Sequence, residues 1–299
     1  MKILIGPSTF ASEDRTPLRR LQEAGLEIIP NPYGRKLTAS ELEKLLAGAV
    51  GLLAGLEPLT RAVLERSQLR VISRVGAGVS NVDLEAAHEL GIEVRNTPDA
   101  PTNAVAELTI GVMLCLIRHV ALMDRDLHSG MWQKRIGMQI EERTVAVIGY
   151  GRIGRRVAEL LRPFRPRLLA VDPLVHEAEG VEMVTLETAL RVADIVTCHV
   201  SGEAEVIGAR ELAWLRRGAV LLNSSRGGVI NETALCDALR DSAVAAAWVD
   251  TFVEEPYSGP LLKFPHVLLT PHIGSASIEC RRRMEDEAVT NLLSVLRPA

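Results

Sequence analysis

At 299 residues the chain exceeds one ordinary core and predicts two domains, each able to bury an apolar interior. Its composition, 47% hydrophobic and 24% charged with a net charge of -4, is that of a globular protein and argues against a general polyanion binder, so nucleic acid is not an expected partner. Cys115, Cys198, Cys236 and Cys280 stand far apart, without C-x-x-C or His spacing, and read as reduced thiols of a cytoplasmic protein with neither disulfide nor zinc.

Residues 1–6 predict a short strand entering a polar turn, without the basic start and long apolar core of an export signal. Through the first hundred residues, apolar runs at 2–6, 50–54, 70–73 and 92–94 alternate with helical period such as 37–46, the signature of a parallel sheet. Residues 103–127 then predict one long helix, apolar on nearly all faces. Its most apolar stretch, 108–117, is ten residues between Glu107 and Arg118, well short of the ~20 that span a bilayer, so no membrane is expected. Such a helix needs burial on several sides, which predicts a domain junction or the interface of a homodimer. A second alternating series, with strands at 144–148, 168–171, 195–198, 219–222 and 245–249, ends near His272. A helical tail over 275–296 suits packing back on the first domain.

The run Val145-Ala146-Val147-Ile148 leads directly into Gly149-Tyr150-Gly151-Arg152-Ile153-Gly154. Ile153, Val157, Leu160 and Leu161 then mark a helical face, Pro163 ends it, and the strand at 168–171 delivers Asp172. Every part of a dinucleotide fingerprint is present in order. Gly149 permits the tight turn, Gly151 admits the pyrophosphate to the backbone, and Gly154 lets helix and strand pack closely. The helix N-terminus offers N–H groups to the phosphates. Asp172 accepts from ribose hydroxyls and repels a 2'-phosphate, favouring NAD over NADP. Arg155 and Arg156 read as solvated helix charges.

Three later segments carry ionisable residues directly after strands, where a doubly wound sheet places its crevice. They are Asn223-Ser224-Ser225-Arg226-Gly227-Gly228, Asp250-Thr251-Phe252-Val253-Glu254-Glu255-Pro256 and Thr270-Pro271-His272-Ile273-Gly274. With Arg74-Val75-Gly76-Ala77-Gly78-Val79-Ser80-Asn81-Val82-Asp83 and the glycine fingerprint, they make the chain resemble the D-isomer-specific 2-hydroxyacid dehydrogenases. Short phosphoglycerate dehydrogenases look most similar, and the resemblance covers essentially the whole chain.

The resemblance implies an α/β protein of two doubly wound parallel-sheet domains. A Rossmann cofactor domain, residues 99–274, is inserted in a flavodoxin-like substrate domain made of 1–98 and 275–299. It further implies that Arg226, Glu255 and His272 are catalytic, that Ala77 and Gly78 bind the substrate carboxylate with Arg226, and that Ser224 and Asp250 lie at the cofactor. The implied reaction is hydride transfer between NAD and a small D-2-hydroxy acid, with 3-phosphoglycerate, glyoxylate and hydroxypyruvate as alternative substrates or 2-keto acid counterparts. A non-catalytic NAD-sensing corepressor is the rival class. No C-terminal regulatory domain is expected beyond Ala299.

The chemistry asks for these residue types. Ketone reduction needs a proton for the developing alkoxide, and a histidine serves both directions of that transfer. A carboxylate on the other ring nitrogen fixes the tautomer and favours imidazolium. An arginine polarises the keto oxygen and pairs with a carboxylate through a fork that lysine cannot reproduce. Glu254 reads as a surface neighbour. His88, His119, His128, His176, His199 and His266 read as structural, His199 with some reserve because it follows a strand end.

The chain departs from the family pattern in places. The segment after His199 is short and lacks the customary proline, Asn231 replaces an aspartate, and Gly55-Leu56-Glu57-Pro58 holds no basic residue for a substrate phosphate. A glutamate facing phosphate would repel it, and compensation would fall to Lys134 or Arg135, from the same subunit or across a dimer interface.

Overall fold

The computed structural model describes residues 1–296, which form two compact units, Met1–Pro101 with the segment from Ser275, and Thr102–Gly274. In the first, strands β1 (Lys2–Ile5), β2 (Glu27–Pro30), β3 (Ala49–Ala54), β4 (Val71–Arg74) and β5 (Glu93–Arg95) alternate with helices α1 (Thr16–Glu23), α2 (Ala39–Leu45), α3 (Arg61–Glu65) and α4 (Leu84–Glu89). All strands pair in parallel, in the order β2-β1-β3-β4-β5. Parallel pairing requires crossover helices, which cover the sheet and bury Leu4, Leu52 and Ile72 completely. Side chains end the helices as their chemistry predicts: Thr38 and Glu41 form a capping box on α2, and Asp83 accepts the Ala86 N–H at the start of α4.

The apolar runs do not announce strand β2. It is the edge strand and ends in Pro30, a residue whose missing N–H an edge tolerates. The C-terminal helix (Ile278–Leu296) packs on this same sheet. Ser73 Oγ donates to Ala288 O at 2.8 Å, and a Cβ on Gly51 would press within 3.3 Å of Leu292 and Leu296.

The second unit opens on α5 (Pro101–Ile117) and α6 (Val120–His128), which correct the expectation of one helix over 103–127. The axis bends by 62° where His119 adopts the left-handed conformation, φ 56°. Neither Gly nor Pro marks this break, so the apolar pattern runs through it unannounced. The halves differ in burial. Ala106, Thr109 and Met113 of α5 are fully buried, and Ala106 and Met113 share a core with Val145, Val147 and Trp248, whereas α6 buries no residue. No single described helix is long and apolar enough to cross a membrane; the bent pair together passes that test of length and composition, as core helices of globular proteins also do.

Then follow β6 (Thr144–Ile148), α7 (Arg152–Leu161), β7 (Arg167–Val171), β8 (Glu182–Met183), α8 (Leu186–Val192), β9 (Ile195–Cys198), α9 (Ala209–Leu212), β10 (Ala219–Asn223), α10 (Glu232–Arg240), β11 (Val244–Val249) and β12 (Val267–Leu269). The seven strands are parallel in the order β12-β11-β10-β9-β6-β7-β8. The order reverses beside β6, so β6 and β9 flank the topological switch point. Edge strands β8 and β12, two and three residues long, are too short to give a periodic signal and have no counterpart in the sequence reading. Asn231 caps α10 through the Ala234 N–H at 3.0 Å, the task an aspartate would perform there.

Candidate active site

The three glycines after β6 have separate structural reasons. Gly149 sits at φ +90°, and a Cβ on it would lie 2.6 Å from the His199 carbonyl group. A Cβ on Gly154 would lie 2.1 Å from Gly149 O, so the start of α7 seats on the turn only without one. Gly151 has nothing within 4 Å of its Cβ position and is the N-cap of α7 without a side-chain cap. Open ground over the uncapped N-terminus of a ten-residue helix fits a pyrophosphate, whose oxygens accept the free N–H groups.

Around this turn, Asp172 directly follows β7 and accepts the N–H groups of Tyr150 at 2.8 Å and Leu174 at 2.9 Å. Each carboxylate oxygen keeps a further lone pair for a ribose hydroxyl. Tyr150 is buried, Ile153 half-buried, and Arg152 begins α7. Arg155 and Arg156 are more than solvated charges. Arg155 stacks 4.8 Å from the Tyr150 ring centroid, and Arg156 donates to Asn103 and Glu159, both at 2.9 Å.

At the C-terminal ends of β10, β11 and β12 the structure gathers Ser224, Arg226, Asp250, Glu255 and His272 on one sheet edge. Asn223 Oδ1 accepts both the N–H and the hydroxyl of Ser225, while its Nδ2 donates to Arg226 O, which shapes the Ser-Ser-Arg turn. Arg226 donates to Ser225 O at 2.7 Å, and among the described residues no carboxylate pairs with it, so it is not a structural ion pair. A Cβ on Gly227 would stand 2.1 Å from the Phe252 carbonyl carbon. That glycine is what allows the Arg226 turn to abut the loop leading to Glu255.

His272 Nδ1 lies 3.0 and 3.1 Å from the two oxygens of Glu255. A carboxylate only accepts, so Nδ1 carries the proton and Nε2 is left for chemistry. Glu255 is itself anchored by the Phe252 N–H at 3.0 Å, whereas Glu254 is exposed. His272 adopts φ +55°, a conformation that costs a non-glycine residue about 1–3 kcal/mol.

Asp250 holds that conformation. Its side chain is wholly buried and accepts the Thr270 hydroxyl at 2.5 Å and the N–H groups of Ile273 and Gly274 at 2.9 Å each. Trp248 Nε1 donates to the same Thr270 hydroxyl at 2.8 Å. The residues on both sides of His272 are therefore pinned to one buried carboxylate. Sequence reasoning misses Thr270, although its place two residues before the histidine is a visible signal.

Among the described residues, His199 Nδ1, Ser224 Oγ and Thr251 Oγ1 are buried polar atoms without a partner. His199 is 9% exposed, shares its Nε2 with Thr197 Oγ1 at 2.9 Å, and has its pKa pushed by burial down to about 3. In the first unit, Ala77 and Gly78 follow β4, half-buried. The Asn96 amide fixes Ala77 O at 2.6 Å, and Thr97 Oγ1 fixes the Gly76 N–H at 2.9 Å. Among the described residues no group of three or more His, Cys, Asp or Glu is arranged to hold a metal ion.

Comparison with known proteins places this geometry in a family. Residues 110–274 match the model of the D-isomer specific 2-hydroxyacid dehydrogenase NAD binding domain. A hydroxypyruvate reductase of Thermotoga maritima is 32% identical over 293 residues, covering 92% of this chain and 96% of that one. A D-3-phosphoglycerate dehydrogenase of Methanocaldococcus jannaschii is 36% identical over 87% of this chain, which spans only about half (52%) of that relative's length. The crystal structure of a Thermus thermophilus protein superposes with a TM-score of 0.90 at 34% identity, covering 99% of this chain and 97% of the other. The chain thus belongs to the D-isomer-specific 2-hydroxyacid dehydrogenases, NAD-dependent oxidoreductases with two parallel-sheet α/β domains.

Proposed function

We propose that the chain reduces a small 2-keto acid to the D-2-hydroxy acid, and runs the reverse, with His272, Glu255 and Arg226 as its catalytic residues. The observation that carries this reading is the His272–Glu255 pair, held at 3.0 Å on a sheet edge beside an arginine with no ion-pair partner among the described residues. Bound NADH supplies the hydride. His272 donates the proton from Nε2 to the developing alkoxide and recovers it in oxidation, while Glu255 keeps Nδ1 protonated and balances the imidazolium. Arg226 draws charge onto the keto oxygen and grips the substrate carboxylate, with the N–H groups of Ala77 and Gly78 as further donors. Gly149, Tyr150, Gly151, Arg152, Ile153, Gly154 and Asp172 form the cofactor cradle. Ser224 Oγ, buried without a partner, is an added polar contact for the cofactor.

Asp250 has a different part from a direct cofactor ligand. With three donors on its carboxylate, it serves as a positioning residue for His272. Asp172 sets the preference for NAD. The test of the whole reading is NADH oxidation with a panel of 2-keto acids. Turnover of any supports it, while tight NADH binding without turnover of any leaves the corepressor class.

The expected assembly is a cytoplasmic homodimer, with the contact moved from α5 to α6 and the arm after it. Val120, Leu127, Met131, Trp132 (81% exposed) and Ile136 (98% exposed) present apolar side chains there, and the arm is braced by Arg135 on Asp126 at 2.7 Å. Sedimentation of a monomer at micromolar concentration overturns this.

A further inference from the structure

The carboxylate that faces His272 rides on a loop with few ties of its own. Residues 251–259 lie outside every helix and strand, and among the described residues no backbone-to-backbone hydrogen bond ties 251–258 to the rest of the chain. Val253, Glu254, Glu255 and Pro256 are exposed. Within the loop, Glu255 is fixed by the Phe252 N–H at 3.0 Å, so its position is only as definite as that of Phe252.

Phe252 is held on two sides. Its carbonyl abuts Gly227, in the turn that carries Arg226. Its ring stacks on that of Tyr257, with centroids 4.1 Å apart and planes 22° from parallel, a contact that closes the loop around Glu255. Tyr257 is in turn anchored outside the loop. Its hydroxyl accepts the Leu261 N–H at 3.0 Å, and the Glu232 carboxylate at the start of α10 faces the same hydroxyl. Burial, with Glu232 adding to it, pushes the phenol pKa up to about 12, so the group stays neutral. A Cβ on Gly259 would fall 2.4 Å from the Tyr257 hydroxyl oxygen and 2.6 Å from its ring, so glycine there lets the ring fold back. Both rings pack against the core that contains Leu235, Val249 and Leu261.

We propose that Tyr257 is a positioning residue for the reaction: its ring clasps Phe252, whose N–H then holds Glu255 in place for His272. This rests on the reading that Glu255 and His272 are catalytic. The influence of Tyr257 on proton transfer passes through Glu255, and a small displacement of a positioned group is enough to slow a reaction.

The experiment is a double-mutant cycle read in kcat for keto-acid reduction. Tyr257→Leu keeps apolar bulk and removes the stacked face. Its kcat is expected to fall about tenfold, less than the about 10²-fold that a 1 Å misplacement can cost, with KM for NADH within about twofold of wild type. Tyr257→Phe keeps the ring and is expected to retain most of the wild-type kcat. In a Glu255→Ala background, where no carboxylate is left to position, Tyr257→Leu is expected to cost less than about twofold more. A folded Tyr257→Leu with wild-type kcat overturns the proposal, and so do losses that multiply in full in the double variant, since Tyr257 would then act without Glu255. Where Tyr257→Leu does not fold, Phe252→Leu cuts the same stack from the other side and is read in the same cycle. A Glu255→Ala variant as active as wild type strikes the proposed catalytic pair itself, a different outcome from a Tyr257 that acts independently of it.

Discussion

Two strand-end histidines on one sheet edge make an instructive pair. His199 follows β9 and His272 follows β12, both at the C-terminal side of the cofactor unit's sheet. His199 is buried, its ring bonds to Thr197, and its pKa is held near 3. His272 is open to solvent, faces a carboxylate, and sits in a left-handed conformation pinned by a buried aspartate. Residue type and strand-end position are the same, so the difference lies in what each ring can exchange with its surroundings. A group that stays neutral across the physiological range donates no proton that it has to recover, whereas one with an exposed nitrogen and a charged partner cycles.

The sharpest way to break this comparison is to remove each ring in turn. His272→Ala is expected to lower kcat for keto-acid reduction by about 10³-fold, within the range for a lost general acid, while NADH affinity measured by fluorescence titration is retained. His199→Gln keeps a polar side chain at the buried position and is expected to cost less than about tenfold, below the range for a lost general acid. The reverse order of effects would move the proton donor to β9.

Asp250→Ala tests whether the left-handed histidine is held from below. It strands the Thr270 hydroxyl and the Ile273 and Gly274 N–H groups, so denaturant unfolding should report a loss of about 3 kcal/mol. Activity should fall through kcat with KM for NADH little changed. A variant as stable and active as wild type would show that the loop holds its shape unaided.

A smaller effect follows from the buried ring. The folded-state pKa of His199 lies below its ordinary 6.5, so between those values the unfolded chain binds the proton and the folded chain does not. Stability is therefore complete above about pH 6.5 and declines as pH falls toward 3. Between about pH 7 and about pH 5 wild type should lose about 2 kcal/mol from this group, a loss absent in His199→Gln. Parallel stability profiles for the two proteins would contradict the burial argument.

The mildest change is Glu255→Gln, which keeps the size of the side chain and deletes the anion that balances the imidazolium. The kcat values for keto-acid reduction and for hydroxy-acid oxidation should both fall, with NADH affinity retained. An unchanged kcat in both directions would mean that the ring keeps its tautomer and orientation without the carboxylate's charge.

Much of the site is legible in the sequence because its signals are local. Gly149 turns at φ +90° directly after β6 and Gly154 seats on Gly149 O five residues back, and the alternating apolar runs locate β6, β7, β9, β10 and β11 nearly to the residue. The long-range parts are less visible. The apolar pattern over 103–127 reads as continuous because left-handed His119 carries no Gly or Pro signal, and β8 and β12 are too short for period to appear. The family resemblance implies a place at the cofactor for Asp250, and only its partners twenty and more residues away, Thr270, Ile273 and Gly274, reveal a carboxylate with three donors.

By itself the sequence determined the order of the elements, the glycine turn and the residue types assembled at the strand ends, since these depend on backbone preferences and apolar period between near neighbours. The tertiary structure alone decided which of those residues meet. Burial and partnership are set by segments far apart in the chain, and they separate His272 from His199 and Asp250 from Glu255. The same holds for Glu57, a charged residue beside a turn until Gly6, far earlier in the chain, is seen to leave its carboxylate a place at the centre of the first sheet.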